Sequence, residues 1–196
     1  MKLLTATRNA HKLREIRSIF SGAGVELLGM DHVPDLPEVD EDKTTFRGNA
    51  AKKAVTLARA SGLTALADDS GLEVDALSGA PGVRSARYAG EPPDYEANNR
   101  KLLRETAGAE NRRARFKCAL ALASPDGTCR VLEGKCEGVI TETPRGENGF
   151  GYDPLFIPEG YSRTFAEMEP QEKNSISHRA AALKLAREKW AELLGK

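Results

Sequence analysis

The stretch LADDSGLEVDALSGAPGVRSARYAG, Leu66–Gly90, carries two adjacent acids between two apolar segments. An apolar run at 63–67 predicts a buried strand, and two adjacent carboxylates, Asp68 and Asp69, follow it directly. Neighbouring side chains on an extended strand point to opposite faces, so one acid can face a ligand while the other is anchored by the protein. Gly71 permits a sharp turn and a close approach of a ligand to the backbone. Paired acids at a strand end suit Mg2+, and the alternative is an ordinary solvated turn.

Composition narrows the class of protein. The chain has 196 residues, which is enough for one substantial domain. Lysine plus arginine equals aspartate plus glutamate, at 29 each, which argues against nucleic acid or an anionic membrane as the main partner. We find no apolar run near 18 residues and no signal peptide, so we expect no membrane span. Three cysteines without a C-x-x-C pair are typical of reduced thiols in the cytosol.

The N-terminal segment predicts a strand, a turn and a helix. The turn is TRNAHK at 7–12, and the helix is expected to end at Gly22 or Gly24. Backbone N–H groups at the start of a helix favour an anion, and the lysine in this turn adds positive charge. The alternative is ordinary capping of the helix by Thr7 or Asn9.

An acidic segment and a second helix follow the predicted strand at 25–30. The sequence PEVDEDK carries four acids within five positions, usually a solvated face but also a source of one more metal carboxylate. A helix is expected from about Thr45 to Ser61, and Gly62 fits its C-terminal stop. Lys52 and Lys53 lie on this helix, where either could reach phosphate or simply be solvated.

Farther along, the patterns predict one more helix and a hairpin. Asp94 is a suitable cap for a helix that runs to about Thr106. Alternating residues from 112 to 123 and from 128 to 136 predict two antiparallel strands. The turn SPDG joins them, because its proline presets φ and its glycine permits positive φ.

The segment PRGENGFGYDP, residues 144–154, places aromatic residues among glycines. Phe150 and Tyr152 could hold a flat ring against an aromatic face, and Asp153 could accept a hydrogen bond from a base edge. The sequence has neither a Walker loop nor a G-x-G-x-x-G after a strand, so nucleotide recognition would use other elements.

The last helix is expected from about Ser177 to Leu194, with Leu193 and Leu194 in its buried stripe. Basic side chains cluster at its start, at Lys173, at His178 and at Arg179. Cations there oppose the helix dipole, and a locally costly pattern is typical of a binding site. The alternative is an exposed basic turn.

Five segments together resemble the non-canonical purine nucleoside-triphosphate pyrophosphatases, also called inosine/xanthosine triphosphate pyrophosphatases. The resemblance covers nearly the whole chain, and the central stretch and GFGYDP are its most specific parts. One departure is Gly48, where the family usually has glutamate. The matching segments are ATRNAHKLREI at 6–16, EDKTTFRGNAAKKA at 41–54, the central stretch at 66–90, GFGYDPLF at 149–156 and EKNSISHRAAAL at 172–183.

The resemblance implies an α/β fold with a long, mixed, twisted β-sheet flanked by helices, forming two lobes around a central cleft in a single domain, 1–196. It implies a cytoplasmic homodimer that uses Mg2+. The implied reaction splits the α–β phosphoanhydride of dITP, ITP, XTP or dXTP into the monophosphate and pyrophosphate, which removes deaminated purines from nucleotide pools.

The resemblance also implies roles for individual residues. Glu41 and Asp69 would hold the metal, and Asp69 would also be the catalytic base toward water. Ser70 would contact the substrate and Lys173 the nucleotide, while His178 and Arg179 would read the 6-oxo edge of the base. The triphosphate would be lined by Thr7, Arg8, Asn9, Ala10, His11 and Lys12, and the base would be held by Phe150, Gly151, Tyr152 and Asp153.

Two other functions are compatible with parts of this pattern. A nucleotide-binding sensor would lack catalysis, although the acids at positions 41, 68 and 69 argue against it. A related pyrophosphatase would act on modified pyrimidine nucleotides. A nucleic-acid-binding module fits least, because the net charge is zero.

Overall fold

The structure is a computed structural model that describes residues 1–21 and 24–191. Six strands form one sheet, in which β1 runs parallel to β2 and to β3, while β5 and β6 are antiparallel. This arrangement and the flanking helices confirm the predicted mixed α/β fold. The strands are β1 (Lys2–Thr5), β2 (Glu26–Leu28), β3 (Ala65–Val74), β4 (Arg113–Ala123), β5 (Cys129–Ile140) and β6 (Phe156–Pro158), and the sheet order is β2-β1-β3-β4-β5-β6.

Local sequence signals explain where several helices begin and end. The Asn9, Thr45 and Asp94 side chains each accept a backbone hydrogen bond in the first turn of α1, α2 and α3, respectively. Gly62 closes α2 in the left-handed conformation, with φ of 67°. The helices are α1 (Ala10–Phe20), α2 (Phe46–Ser61), α3 (Tyr95–Glu105), α4 (Pro170–Ile176) and α5 (His178–Lys189).

The predicted strand end at the two acids is wrong, and so is the alternative of a solvated turn at 68–71, because β3 continues without interruption through both acids. Gly71 does have close neighbours, but they are protein groups. A Cβ at this position would lie 2.3 Å from Ser85 Oγ and 2.6 Å from Gly82 O. The Ser85 hydroxyl occupies the space that a larger residue at position 71 would fill. It donates to Gly82 O and accepts from Leu72 N, and these hydrogen bonds stabilise the strand.

In the C-terminal region the last helix begins at His178, close to the predicted start at Ser177, and an additional helix that was not predicted, α4, precedes it. α4 begins with Pro170 at a position that suits proline, and Ser177 then separates α4 from α5 with extended backbone angles, φ −66° and ψ 157°. The predicted positions Gly22, Leu193 and Leu194 lie outside the described residues. Among the helices of residues 1–21 and 24–191, none is long and apolar enough to span a membrane.

The chain divides into two compact units, whose four boundaries fall within β3, β4, β5 and the start of α5. Unit 1 comprises Met1–Asp69, Cys118–Gly134 and Arg179–Lys196, and unit 2 comprises Ser70–Lys117 and Lys135–His178. In unit 1, apolar side chains of α1, β3, β4 and α5 form a core that includes Ile16, Leu66, Leu120, Leu183 and Trp190. Unit 2 has its own core, which includes Leu72, Leu102, Phe116, Phe156 and Phe165. That the chain forms a single domain stays a prediction.

Candidate active site

Asp68 of unit 1 is a buried carboxylate held by two cations. Its Oδ2 lies 3.0 Å from Lys12 Nζ and accepts from both Nε and Nη2 of Arg179 at 3.2 Å. Burial alone would raise the pKa of Asp68, but the charges of Lys12 and Arg179 outweigh burial and lower that pKa well below its usual range. Asp68 is therefore a permanently ionised anchor, which is a poor general base.

Arg179 is fully buried and lies between two carboxylates of the same unit. Besides Asp68, its Nη1 contacts Glu15 of α1. Their opposite charges raise the pKa of Arg179, although burial opposes this shift. The guanidinium links the first helix, the central strand and the last helix, and its role at a base edge stays a prediction.

Asp69 follows Asp68 directly and has the opposite electrostatic environment. Asn49 Nδ2 donates to Asp69 Oδ2 at 2.9 Å. Burial, together with the negative charge of Glu41, raises the pKa of Asp69 to about 6, although Asn49 and the nearby lysines oppose that shift. Two neighbouring carboxyl groups with pKa values moved in opposite directions are typical of a division between an anchor and a proton acceptor.

Glu41 and Asp69, the two predicted metal ligands, are carboxylates of unit 1, and the charge of Glu41 acts on Asp69. Glu41 is ion-paired with Lys53, whose Nζ is also 3.3 Å from Asp68 O. Burial, followed by the negative charge of Glu41, disfavours the ionised form of Asp69, and a bound cation would offset both effects. The part of the chain that the structure describes has no group of three or more His, Cys, Asp or Glu side chains arranged for a metal. Two carboxylates suit Mg2+, which completes its coordination with water and phosphate oxygens.

Asn9, in the turn at 7–12, caps the start of α1, which was the alternative interpretation of this turn. Asn9 Oδ1 accepts from His11 N at 2.9 Å and from Lys12 N at 3.2 Å, while Thr7 Oγ1 accepts from Asn9 N at 3.1 Å. Ala10 is the first residue of α1. Lys12 of this turn contacts Asp68 on β3.

Two other members of the turn point to partners outside it. Arg8 is exposed and its Nη1 lies 2.7 Å from Glu38 Oε1 of the acidic loop. His11 Nδ1 lies 2.9 Å from Arg14 Nη2. Lys52 of α2, which is also in unit 1, forms an ion pair with Asp42 at 3.0 Å.

In unit 2, the aromatic turn, residues 149–153, is stabilised by a buried ion pair. Asp153 Oδ2 accepts from Phe150 N at 2.8 Å and from Lys173 Nζ at 2.7 Å. Gly149 has φ of 79°, and a Cβ there would lie 2.1 Å from Asp153 Oδ2, so glycine is needed at this position. Lys173 Nζ also lies 5.0 Å from the centre of the Phe150 ring, a cation–π distance.

Tyr152 and Gly151 make hydrogen bonds to other residues of unit 2. Tyr152 is buried, and its hydroxyl donates to Ser85 O at 2.8 Å. Burial raises the pKa of this phenol, which stays protonated. Gly151 O accepts from Asn99 Nδ2 at 3.0 Å. Phe150, which is only partly buried, is thus the ring of this turn that remains accessible.

His178 and Ser70 are also residues of unit 2. The His178 ring is buried and stacks on Phe116, with centroids 4.7 Å apart and planes at 11°. Ser70 is half-buried on β3, one residue after Asp69. The structure therefore groups the predicted residues into an acidic and basic cluster in unit 1 and an aromatic and basic cluster in unit 2.

Sequence reasoning missed three side chains that support these clusters. Asn49 and Glu15 hold Asp69 and Arg179, respectively, and Asn99 holds the backbone of the aromatic turn. The spacing of Glu15 from Lys12 offered a signal, because residues three apart share a helix face. Asn99 gave none, because its partner is a backbone carbonyl.

Comparisons with known proteins identify relatives that match nearly the whole chain. A chain from Desulforamulus reducens called dITP/XTP pyrophosphatase is 52% identical over 190 residues, which is 96% of this chain and 94% of that one. A HAM1 protein from Coxiella burnetii has a similar structure, with TM-score 0.90 and 39% identity over 98% of this chain and 99% of the other. A nucleoside-triphosphatase / dITP/XTP pyrophosphatase from Mycobacterium abscessus has TM-score 0.78 and 45% identity over 94% and 97% of the two chains. The model of the Ham1 family matches residues 3–189, and the chain belongs to the Ham1 family.

Proposed function

We propose that this protein hydrolyses non-canonical purine nucleoside triphosphates, dITP, ITP, XTP and dXTP, to the monophosphate and pyrophosphate. The observation that carries the proposal is the pair of adjacent acids on β3, in which Asp68 is kept ionised and Asp69 has a pKa raised to about 6. Relatives about half identical over nearly the full chain bear the name dITP/XTP pyrophosphatase.

The cluster of unit 1 supplies the chemistry at the phosphates. Lys12 and Lys53 neutralise charge on the polyphosphate, and the N-terminal turn of α1 adds backbone N–H groups. Glu41 and Asp69 would hold Mg2+, which would neutralise further phosphate charge. Asp69 accepts the proton of the attacking water, because its carboxylate, held by Asn49 through Oδ2, is a proton acceptor beside the lysines that neutralise the phosphates. The α–β phosphoanhydride bond breaks and pyrophosphate leaves.

The cluster of unit 2 supplies base recognition. Phe150 offers a ring for stacking, and its orientation is set by Asp153 and Lys173. His178 donates to the 6-oxo group of hypoxanthine or xanthine. An adenine amine at that position would leave the donor unpaired, a mismatch that is able to reduce the rate by several powers of ten.

We assign Arg179 the role of holding Asp68 in place. Its Nε and Nη2 donate to Asp68 and its Nη1 donates to Glu15, and both partners are carboxylates of unit 1. Reading the base edge would require Arg179 to exchange these partners for the substrate. His178 is therefore the proposed reader of the 6-oxo edge.

Pyrophosphate release from dITP and XTP, compared with dATP and dGTP with and without Mg2+, tests the proposed function. We expect turnover of the two deaminated nucleotides that requires the metal and exceeds turnover of the other two at least tenfold. Equal rates on all four, or full activity in EDTA, would overturn the proposal. Faster turnover of a modified pyrimidine nucleotide would favour the related pyrophosphatase.

Asp69→Asn tests the role of the raised carboxyl group. The substitution should abolish turnover while nucleotide binding persists, because the amide keeps the acceptor for Asn49 but cannot take a proton. Asp42→Asn is the matched control, since it removes the same charge from an exposed position of the acidic loop. A fully active Asp69→Asn enzyme would contradict the catalytic assignment, and a wild-type protein that binds nucleotide without hydrolysis would indicate a sensor.

We also propose that the protein is a cytoplasmic homodimer without nucleic acid or membrane partners. The dimer and the location follow from the resemblance to the pyrophosphatase family, and the zero net charge supports the absence of a nucleic acid partner. Light scattering after size-exclusion chromatography should give twice the mass of one chain, and a monomeric mass would contradict the dimer.

A further inference from the structure

One face of α3 lies against the aromatic turn of unit 2. Tyr95 and Asn99 are four residues apart and therefore share a helix face. The Tyr95 ring lies 6.1 Å from the Phe150 ring, with planes at 46°, and Asn99 Nδ2 donates to Gly151 O at 3.0 Å. The helix thus contacts the side chain of Phe150 and the backbone beside it.

The residues on either side of Phe150 do little to fix the orientation of its ring. Gly149 and Gly151 both have positive φ, at 79° and 62°, which glycine adopts readily. Because neither residue has a side chain, neither restricts the Phe150 ring. The orientation of Phe150 is consequently set by groups from other elements. Lys173 supplies a cation at 5.0 Å from the ring centre, and Tyr95 supplies the aromatic neighbour.

Tyr95 is unusual for a surface residue, because 39% of it is exposed although it is a large ring. Its place at the first position of α3 is fixed by Asp94, whose side chain accepts from Ala97 N at 3.0 Å. The ring is therefore held at a defined site on a rigid element while one part of it contacts Phe150 and another part contacts solvent.

We propose that Tyr95 is a positioning residue for nucleobase binding, which acts by holding the Phe150 ring in the orientation that stacks on the base. This inference rests on the proposed function, because it takes Phe150 as the stacking ring. Tyr95 would affect binding of the base and leave the chemistry at the phosphates unchanged, since no atom of Tyr95 is assigned to the reaction.

The size of the effect follows from the aromatic pair. A tilted pair of rings at this separation contributes enough to change an equilibrium by roughly 2- to 10-fold. Tyr95→Ala should therefore raise the KM for dITP by a factor in that range and leave kcat unchanged. Tyr95→Phe keeps the ring and should retain the wild-type KM.

Steady-state kinetics of Tyr95→Ala, Tyr95→Phe and Tyr161→Ala test the proposal. Tyr161 is a matched control, because it is 42% exposed in the same unit and lines a different cavity of 430 Å3 with Val139 and Ile157. Inhibition by inosine monophosphate and by inorganic tripolyphosphate separates the base from the phosphates. Tyr95→Ala should weaken inhibition by the monophosphate and leave inhibition by tripolyphosphate unchanged.

The possible results distinguish the two proposals. If wild-type protein fails to hydrolyse dITP, the proposed function is wrong. If wild-type protein is active and Tyr95→Ala has the same KM, or if Tyr95→Phe is as impaired as Tyr95→Ala, the positioning role of the ring is wrong. An equal loss of inhibition by tripolyphosphate would also overturn it, because that result would indicate general disruption of the fold.

Discussion

Replacing Asp68 by asparagine removes the negative charge on which two cations of unit 1 converge. The carboxylate accepts from Arg179 through two nitrogens at 3.2 Å and lies 3.0 Å from Lys12. An amide of the same shape accepts a hydrogen bond through its oxygen but carries no charge. Arg179, whose side chain is 2% exposed, would then keep Glu15 as its remaining carboxylate.

The expected loss of stability is about 3–5 kcal/mol, the usual cost of breaking a buried ion pair by removing one partner. For a chain of this length, each kcal/mol corresponds to a fall in Tm of roughly 2–4 °C. Asp68→Asn should therefore melt roughly 6–20 °C below the wild-type protein. Aspartate and asparagine side chains are nearly isosteric, so we expect this loss of stability to occur without a change in the volume of the core.

Urea unfolding and calorimetry in EDTA, where metal binding makes no contribution, provide the measurement. Glu38→Gln is the control, since the Arg8–Glu38 pair has the same chemistry at 2.7 Å but side chains that are 64% and 84% exposed. Such an exposed pair contributes about 0–1 kcal/mol. If Asp68→Asn cost no more than Glu38→Gln, the argument that burial makes the Asp68 pair stabilising would be refuted.

Three further changes have defined outcomes. Gly71→Ala should destabilise the protein by about 1–3 kcal/mol, because the added Cβ would lie 2.3 Å from Ser85 Oγ; an unchanged urea midpoint would contradict this. Burial and the charge of nearby glutamates raise the pKa of Cys136 to about 11, so alkylation of Cys136 at pH 8 should be slow and should accelerate up to about pH 11; mass spectrometry of the labelled peptide measures it, and a rate equal to that of free cysteine at pH 8 would disagree. Lys173→Met should cost about 3–5 kcal/mol in urea unfolding, because Asp153 would stay buried without its cation; wild-type stability would show that the hydrogen bond from the turn suffices.

The sequence predicted elements whose causes are local. The α2 and α3 helices begin where Thr45 and Asp94 cap them, and Gly62 ends α2 as expected. The hairpin turn at 124–127 also forms, with Gly127 N donating to Ser124 O at 2.9 Å. These features depend on residues a few positions apart, so a single sequence contains the information that they need.

The prediction failed where a distant partner decides the structure. Two consecutive aspartates favour a turn by local preference, yet β3 continues because Asp68 is compensated by Lys12 and Arg179. The helix α4 was missed because, at 7 residues, it is too short to show an amphipathic pattern. The roles of the site residues stay predictions, and the clusters that the structure describes define how to test them.

The Arg179 contacts have a consequence for biosynthesis. They join positions 111 and 164 residues apart, to Asp68 and to Glu15. While the ribosome is still making the middle of the chain, Asp68 lacks the cation that makes its burial favourable. We therefore expect unit 1 to reach its final form only after translation has passed residue 179, and nascent chains that stop short of it to be substrates for chaperones.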